Sequence, residues 1–185
     1  RLPATVILMG TSMLLGFLIA IVLGLYSGKN KNGVLDKITS MFCYVGISIP
    51  TFWFGIMLIY LFSVHLHILP SIGMHSDGNR SLGDLILHMV MPCAVLTFAN
   101  ASQYIRYLRS STITEMSSDY VMVQKAYGMK ESGILFRHVL KNAMLPMITV
   151  LGMSLQSLVS GAIITEQVFC MAGNRSAGSD RCYAV

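Results

Sequence analysis

A chain of 185 residues that is 54% apolar and only 11% charged, with a mean hydropathy of +0.65, does not have the make-up of a soluble domain, because such domains carry about 25% charged residues. Its net charge of +5 is then a signal of membrane topology, and nucleic acid is excluded as the expected partner. Cys43, Cys93, Cys170 and Cys182 show no metal-ligand spacing, so cysteine chemistry is not indicated.

Arg1 is not an initiator and no signal peptide precedes it, so a fragment cut upstream is expected. About 20 apolar residues cross the hydrocarbon core of a bilayer. The first span, about 4–26, contains no charged residue between Ala4 and Tyr26. It runs into "GLYSGKN", which imitates a phosphate-binding loop. Gly24 and Gly28 are one residue too close, however, and Asn30 stands where a hydroxyl must bind magnesium. A helix end with a glycine stop is the expectation. The following loop, 28–37, holds Lys29, Lys31 and Lys37.

The second span, about 38–64, contains Pro50, which is expected to kink it. Beyond it, residues 65–84 carry Arg80 alone against Asp77 and Asp84. Lys and Arg collect on the inner side, so the first and third loops are expected in the cytoplasm and 65–84 outside. His65, His67 and His75 raise the rival reading of an intramembrane metal-dependent enzyme; the alternative is interfacial histidines at the end of a span. His75, Ser76 and Asp77 are consecutive and diverge rather than converge as a catalytic triad must, so a turn is expected there. The sequons at Asn79, Asn100 and Asn174 are assigned no function.

The third span, about 85–105, includes His88, a second kinking proline at Pro92, and a polar cluster of Asn100, Ser102 and Gln103. The fourth, about 143–164, begins near Pro146, expected in a first helical turn where its missing N–H costs nothing. Gln156 lies mid-span among Ser154, Ser157 and Ser160. Polar groups in hydrocarbon are expensive without a partner or a wet path. Two readings stay open: hydrogen-bond glue between helices, or a translocation path lined by Asn100, Gln103 and Gln156. A passive pore would want a charged ring or a filter-like loop, and neither is evident.

Between the third and fourth spans lies a polar stretch, about 117–142, far longer than the usual connection of about six residues. Tyr120–Tyr127 suits a helix with Asp119 as N-cap, and Gly128 can take the left-handed conformation that ends it. A second helix is expected from about Lys130 to Lys141, with Ile134, Leu135 and Val139 as its apolar stripe together with Phe136. Helix, glycine turn and helix form a knob suited to a partner's groove. An amphipathic pair lying on the lipid surface is the competing reading.

The segment "QKAYGMKESGILFRHVLKNAMLP" resembles the cytoplasmic loop of ABC importer permeases, which is built on E-A-A-x-x-x-G, and is most similar to the branch serving dipeptides, oligopeptides and nickel. "LPATVILMG" resembles the start of that family's second helix, and "GISIPTFWFGIML" its G-x-S-x-P-x-F-W-x-G stretch. "LHILPSIG", "HMVMPCAVL", "RYLRSSTITEMSSDYV" and "GAIITEQVF" match further family patterns in order, up to Phe169. Met122, Val123 and Gln124 replace the Glu, Ala and Ala of the general motif, and Lys141 replaces a later proline, as in the peptide sub-branch.

The resemblance implies an all-α polytopic permease, not an enzyme, working by alternating access in a bacterial or archaeal cell membrane. Its implied partners are ATP-binding cassette ATPase subunits, a second homologous permease and an extracellular substrate-binding protein. ATP would be held by the ATPase, and this chain would carry no cofactor or metal. Ala126, Gly128, Met129, Lys130, Glu131 and Ser132 would seat in the ATPase as the coupling helix. After Phe169 the resemblance ends. The family pattern x-W-P-G-x-G-R-L returns if one base is dropped from a permitted codon choice, so 170–185 is expected to be a frameshifted tail without a designed fold, and the last helix to be missing.

Overall fold

The computed structural model describes residues 2–70 and 82–160, together with Val168. Regular structure among them is helical throughout: α1 (Leu2–Lys29), α2 (Val34–Ser48), α3 (Thr51–Leu58), α4 (Leu82–Met116), α5 (Asp119–Ala126), α6 (Glu131–Ile134) and α7 (Leu140–Ser160). Two π-helical pieces continue α3 through Ile59–His65 and join α6 to α7 through Leu135–Val139. Val6–Lys29, Ile86–Met116 and Glu131–Ser154 are long and apolar enough to cross a membrane, and Val34–Ser48 with Thr51–His65 adds a fourth span if the broken pair counts as one. His75, the 74–78 turn and the expected frameshifted tail at 170–185 lie outside the described residues.

Local chemistry places the breaks. Pro50 was expected to kink a continuous span, but α2 ends at Ser48 and α3 restarts at Thr51, with Pro50 extended (φ −61°, ψ 133°) as its N-cap. A proline ring clashes with the carbonyl four residues back and pushes its predecessor out of the helical region. Pro92 lies inside α4, whose helix runs on past it from Leu82 to Met116. Pro146 does not open a helix. It lies within α7, because no glycine or proline stops the chain between Gly133 and Pro146 and the path from Glu131 to Ser160 stays helical. Asn142 therefore loses its intrahelical donor at that turn.

The described helices build two compact units, one from residues 2–12, 49–70 and 82–97, the other from Met13–Ser48 and Phe98–Gln156, with α1 and α4 contributing to both. In the first, Leu8 and Met9 of α1 bury against Met91, Val95 and Leu96 of α4, flanked by Phe54, Leu58 and Phe62. The Thr97 hydroxyl donates to the Ser12 carbonyl at 3.5 Å.

The second unit holds two apolar clusters. Ala20, Cys43, Ala101, Tyr104, Ile105 and Met147 form one; Leu25, Leu108, Val121, Ile134, Leu135, Val139 and Ala143 form the other. Small residues let α1 approach α4 closely. A Cβ added at Gly28 would stand 2.6 Å from Thr112 Cβ, and one at Gly24 3.0 Å from Leu108 Cβ. "GLYSG" is thus a G-x-x-x-G packing face in the sense known from membrane helix pairs; α1 ends beside it at Lys29 as expected, but Gly28 lies inside the last turn without a left-handed φ. In α2, Gly46 serves the same purpose against Ser102 and Phe98.

Candidate functional site

The segment from Ser118 to Val139 is built from its caps inward. Ser118, extended at φ −81° and ψ 153°, is the N-cap of α5, and Asp119 is the first helical residue rather than the cap. Both types cap well, so the sequence alone favoured either by one position. The helix closes at Tyr127. The Gly128 N–H donates to the Lys125 carbonyl at 3.0 Å and the Met129 N–H to the Gln124 carbonyl at 3.2 Å. With Gly128 at φ +76°, this pair of bonds is the Schellman arrangement. A Cβ there would meet nothing within 4 Å, so glycine is required by the backbone and not by crowding. Lys130, again extended, caps α6.

One face of the segment is buried in its own unit. Val121, Ile134, Leu135 and Val139 pack on Leu25 of α1 and Leu108 of α4. The expected stripe is therefore covered by protein, which disfavours an amphipathic pair lying on lipid. Phe136 is not part of it: the ring is half-exposed and meets Tyr26 edge-on, with centroids 6.2 Å apart.

Polar ties hold the segment to its neighbours. Glu131 pairs with Lys125 at 2.9 Å and with Lys29 of α1 at 3.3 Å. Exposed pairs of this kind contribute about 0–1 kcal/mol each, so they orient the turn more than they stabilise it. Glu115, in the last turn of α4, accepts hydrogen bonds from Tyr120 Oη at 2.8 Å and Asn142 Nδ2 at 3.2 Å on one carboxylate oxygen. Burial, and then the carboxylate beside it, hold the Tyr120 phenol above its ordinary range.

The opposite face is open. Ala126, Gly128, Met129, Lys130, Glu131 and Ser132 are all exposed, which places the six expected coupling residues together on one turn. Sequence reading passed over its largest apolar surface, namely Tyr127 at 84% exposure, Met122 at 70% and Val123 at 52%. The available signal was the departure of Met122 and Val123 from the motif pattern, since apolar residues there have no buried neighbours to satisfy.

The polar residues of the spans are not gathered in this way. Asn100 is half-buried, with its Cβ packed towards Gly16, while Gln103, one turn on, is exposed. Ser102 is buried and donates to the Phe98 carbonyl at 2.8 Å beside Gly46, which is helix packing. Gln156 belongs to α7, but its side chain lies outside the described residues. His65 and His67 are exposed, and among the described residues no three His, Cys, Asp or Glu side chains gather to hold a metal.

An unforeseen ion pair anchors the first loop. Asp36, in the first turn of α2, is buried and receives both Nε and Nη2 of Arg109, the latter at 2.8 Å. Its Oδ2 also accepts the Asn32 N–H at 2.9 Å. In the sequence Arg109 reads only as a topology marker, and nothing local couples position 36 to position 109.

Residues 20–178 match the family described as binding-protein-dependent transport system inner membrane component. The chain is 36% identical over 174 residues to an oligopeptide transport system permease protein of Bacillus subtilis (strain 168), covering 94% of this chain and 55% of the relative. It is 34% identical over 191 residues to a probable D,D-dipeptide transport system permease protein of Escherichia coli (strain K12), covering 92% and 56%. A dipeptide transport system permease protein of Lactococcus lactis subsp. cremoris (strain MG1363) is 30% identical over 173 residues, covering 94% and 54%. The chain thus spans about half the length of the curated relatives it matches, and these are named as transport permeases and not as enzymes. A multi-pass helical membrane protein with this match is a member of the family of binding-protein-dependent transport system inner membrane components.

Proposed function

We propose that this chain is the membrane-spanning and coupling portion of an ATP-driven importer permease for peptides. The substrate class rests on the names of its relatives, which are oligopeptide and dipeptide permeases; none of those three names points to nickel. The observation that carries the coupling role is the exposed turn Tyr127–Gly128–Met129, rigidly closed by two backbone hydrogen bonds and backed by a buried stripe. A rigid aromatic-tipped knob is what a partner's groove can grip, because little conformational entropy is lost on docking.

In this reading a separate ATP-binding cassette ATPase seats the turn from Ala126 to Ser132, binds the ATP itself, and closes on it. The knob then moves α4 and α7 through the cluster around Leu108, Val121 and Val139. A second homologous permease, and a substrate-binding protein on the far side of a bacterial or archaeal cell membrane, complete the assembly. For Asn100, Gln103 and Gln156 the support for a substrate path is their amide chemistry alone, because such groups in hydrocarbon need a partner or a wet path. The test is Gly128→Pro in the assembled transporter. Proline fixes φ near −65°, whereas this site needs +76°, so ATP hydrolysis should continue while peptide uptake is lost. Unchanged uptake would sink the coupling role.

A further inference from the structure

Glu115 occupies an electrostatically poor position. It lies in the last turn of α4, where a helix presents its negative end and a carboxylate is disfavoured. Two donors from other elements offset this. Tyr120 Oη of α5 and Asn142 Nδ2 of α7 both point at Glu115 Oε2, at 2.8 and 3.2 Å. The Tyr120 ring also packs against the apolar cluster that holds Val121 and Leu135. One half-buried carboxylate oxygen therefore ties together the end of one long helix, the short helix of the exposed knob and the start of another long helix. Hydrogen bonds to an ionised acceptor are among the strong ones, and a local rule broken in this way commonly marks a functional position.

We propose that Glu115 is a positioning residue for coupling: it makes α4, α5 and α7 move as one body, so that displacement of the knob reaches both long helices together. This rests on the coupling role proposed above. Apolar contacts alone allow α5 to slide on its neighbours, since they are non-directional, whereas two hydrogen bonds converging on one oxygen fix its register.

The experiment compares peptide taken up per ATP hydrolysed, in proteoliposomes, for the full-length permease assembled with its ATPase and binding protein. Glu115→Ala should lower that ratio by about tenfold, the size expected when charge-assisted hydrogen bonds are lost. Glu115→Gln, whose amide oxygen still accepts from both donors, should stay within about twofold of the parent. Tyr120→Phe should give an intermediate loss, and adding it to Glu115→Ala should cost nothing more, because both act through one contact. A normal ratio in Glu115→Ala, equal damage from Gln and Ala, or additive losses in the double variant would each overturn the proposal. Should Glu115→Ala fail to assemble, Tyr120→Phe and Asn142→Leu decide it, and parental ratios in both would reject it. Gly128→Pro separates the two readings. If it also leaves the ratio unchanged, the coupling role itself is wrong; if it uncouples while Glu115→Ala is silent, only the positioning role is wrong.

Discussion

Arg109 holds Asp36 through one edge of its guanidinium, with Nη2 2.8 Å from Oδ2 and Nε on Oδ1, although the two residues are 73 positions apart. The Asp36 side chain is 4% exposed and that of Arg109 27%. Asp36 also closes the 30–33 turn by accepting from Asn32, which sits at φ +67°. A single carboxylate thus sets the shape of the first loop and fastens it to α4.

Removing one partner of such a pair leaves a buried charge alone. Arg109→Met should destabilise the protein by about 3 kcal/mol, measured by thermal or denaturant unfolding in detergent. The double change Asp36→Leu with Arg109→Met should recover much of that loss, because a buried pair replaced by apolar groups is often neutral. If the double variant is no better than the single, the pair has a further role beyond charge compensation.

The close approach of α1 to α4 gives a steric prediction. A Cβ at Gly28 would stand 2.6 Å from Thr112 Cβ, 2.7 Å from Thr112 Cγ2 and 3.1 Å from the Arg109 carbonyl oxygen. Gly28→Ala should therefore cost about 1–3 kcal/mol through overpacking, despite alanine's better helix propensity. Gly28→Ala with Thr112→Ala should regain part of it. At Gly10, where a Cβ would meet nothing within 4 Å, alanine should be neutral or stabilising by up to about 1 kcal/mol. Equal unfolding midpoints for the Gly10 and Gly28 variants would contradict the packing argument.

Gly128 poses a different demand, because its site is open but left-handed. Alanine there should cost about 1–2 kcal/mol in the turn and reduce uptake partially. Asparagine, which tolerates that region better, should be milder. The order Gly, Asn, Ala, Pro in peptide uptake is the expected result, and a flat series would show that the turn's conformation is irrelevant.

Tyr127 contributes little to the fold, being 84% exposed. Tyr127→Ala should leave the unfolding midpoint within about 0.5 kcal/mol of the parent. Its affinity for the ATPase should fall by about tenfold or more if the ring is an anchor of the interface. Met122→Ala, on the same open face, should act in the same direction. Pull-down of the ATPase with purified variants reads both effects.

Much of this molecule is legible along the chain because hydropathy and helical period are local properties. The existence of the apolar stretches, the buried stripe of Ile134, Leu135 and Val139, and the left-handed turn at Gly128 follow from residues within a few positions of one another, whereas the fourth span starts at Glu131 and not near 143. Where local signals were nearly degenerate, the reading slipped by one step: Ser118 caps α5 in place of Asp119, and Phe136 turns outward beside Tyr26. Pro50 interrupts its span where a kink is expected, though by ending one helix and starting the next, while Pro146 lies inside α7 and not in a first turn. A proline forbids one hydrogen bond, and whether the chain bends, breaks or absorbs the loss depends on what surrounds it; Pro50 and Pro146 answer that differently.

What the sequence alone determined is the class of the protein: all-helical and membrane-spanning, with a long polar segment between two apolar stretches. The tertiary structure decided which residues meet. Asp36 with Arg109, Gly28 with Thr112, and Glu115 with Tyr120 and Asn142 depend on positions brought together by folding. No local propensity encodes such pairs, because charge, size and hydrogen-bonding capacity state what a residue needs and only the packing of helices decides which neighbour supplies it.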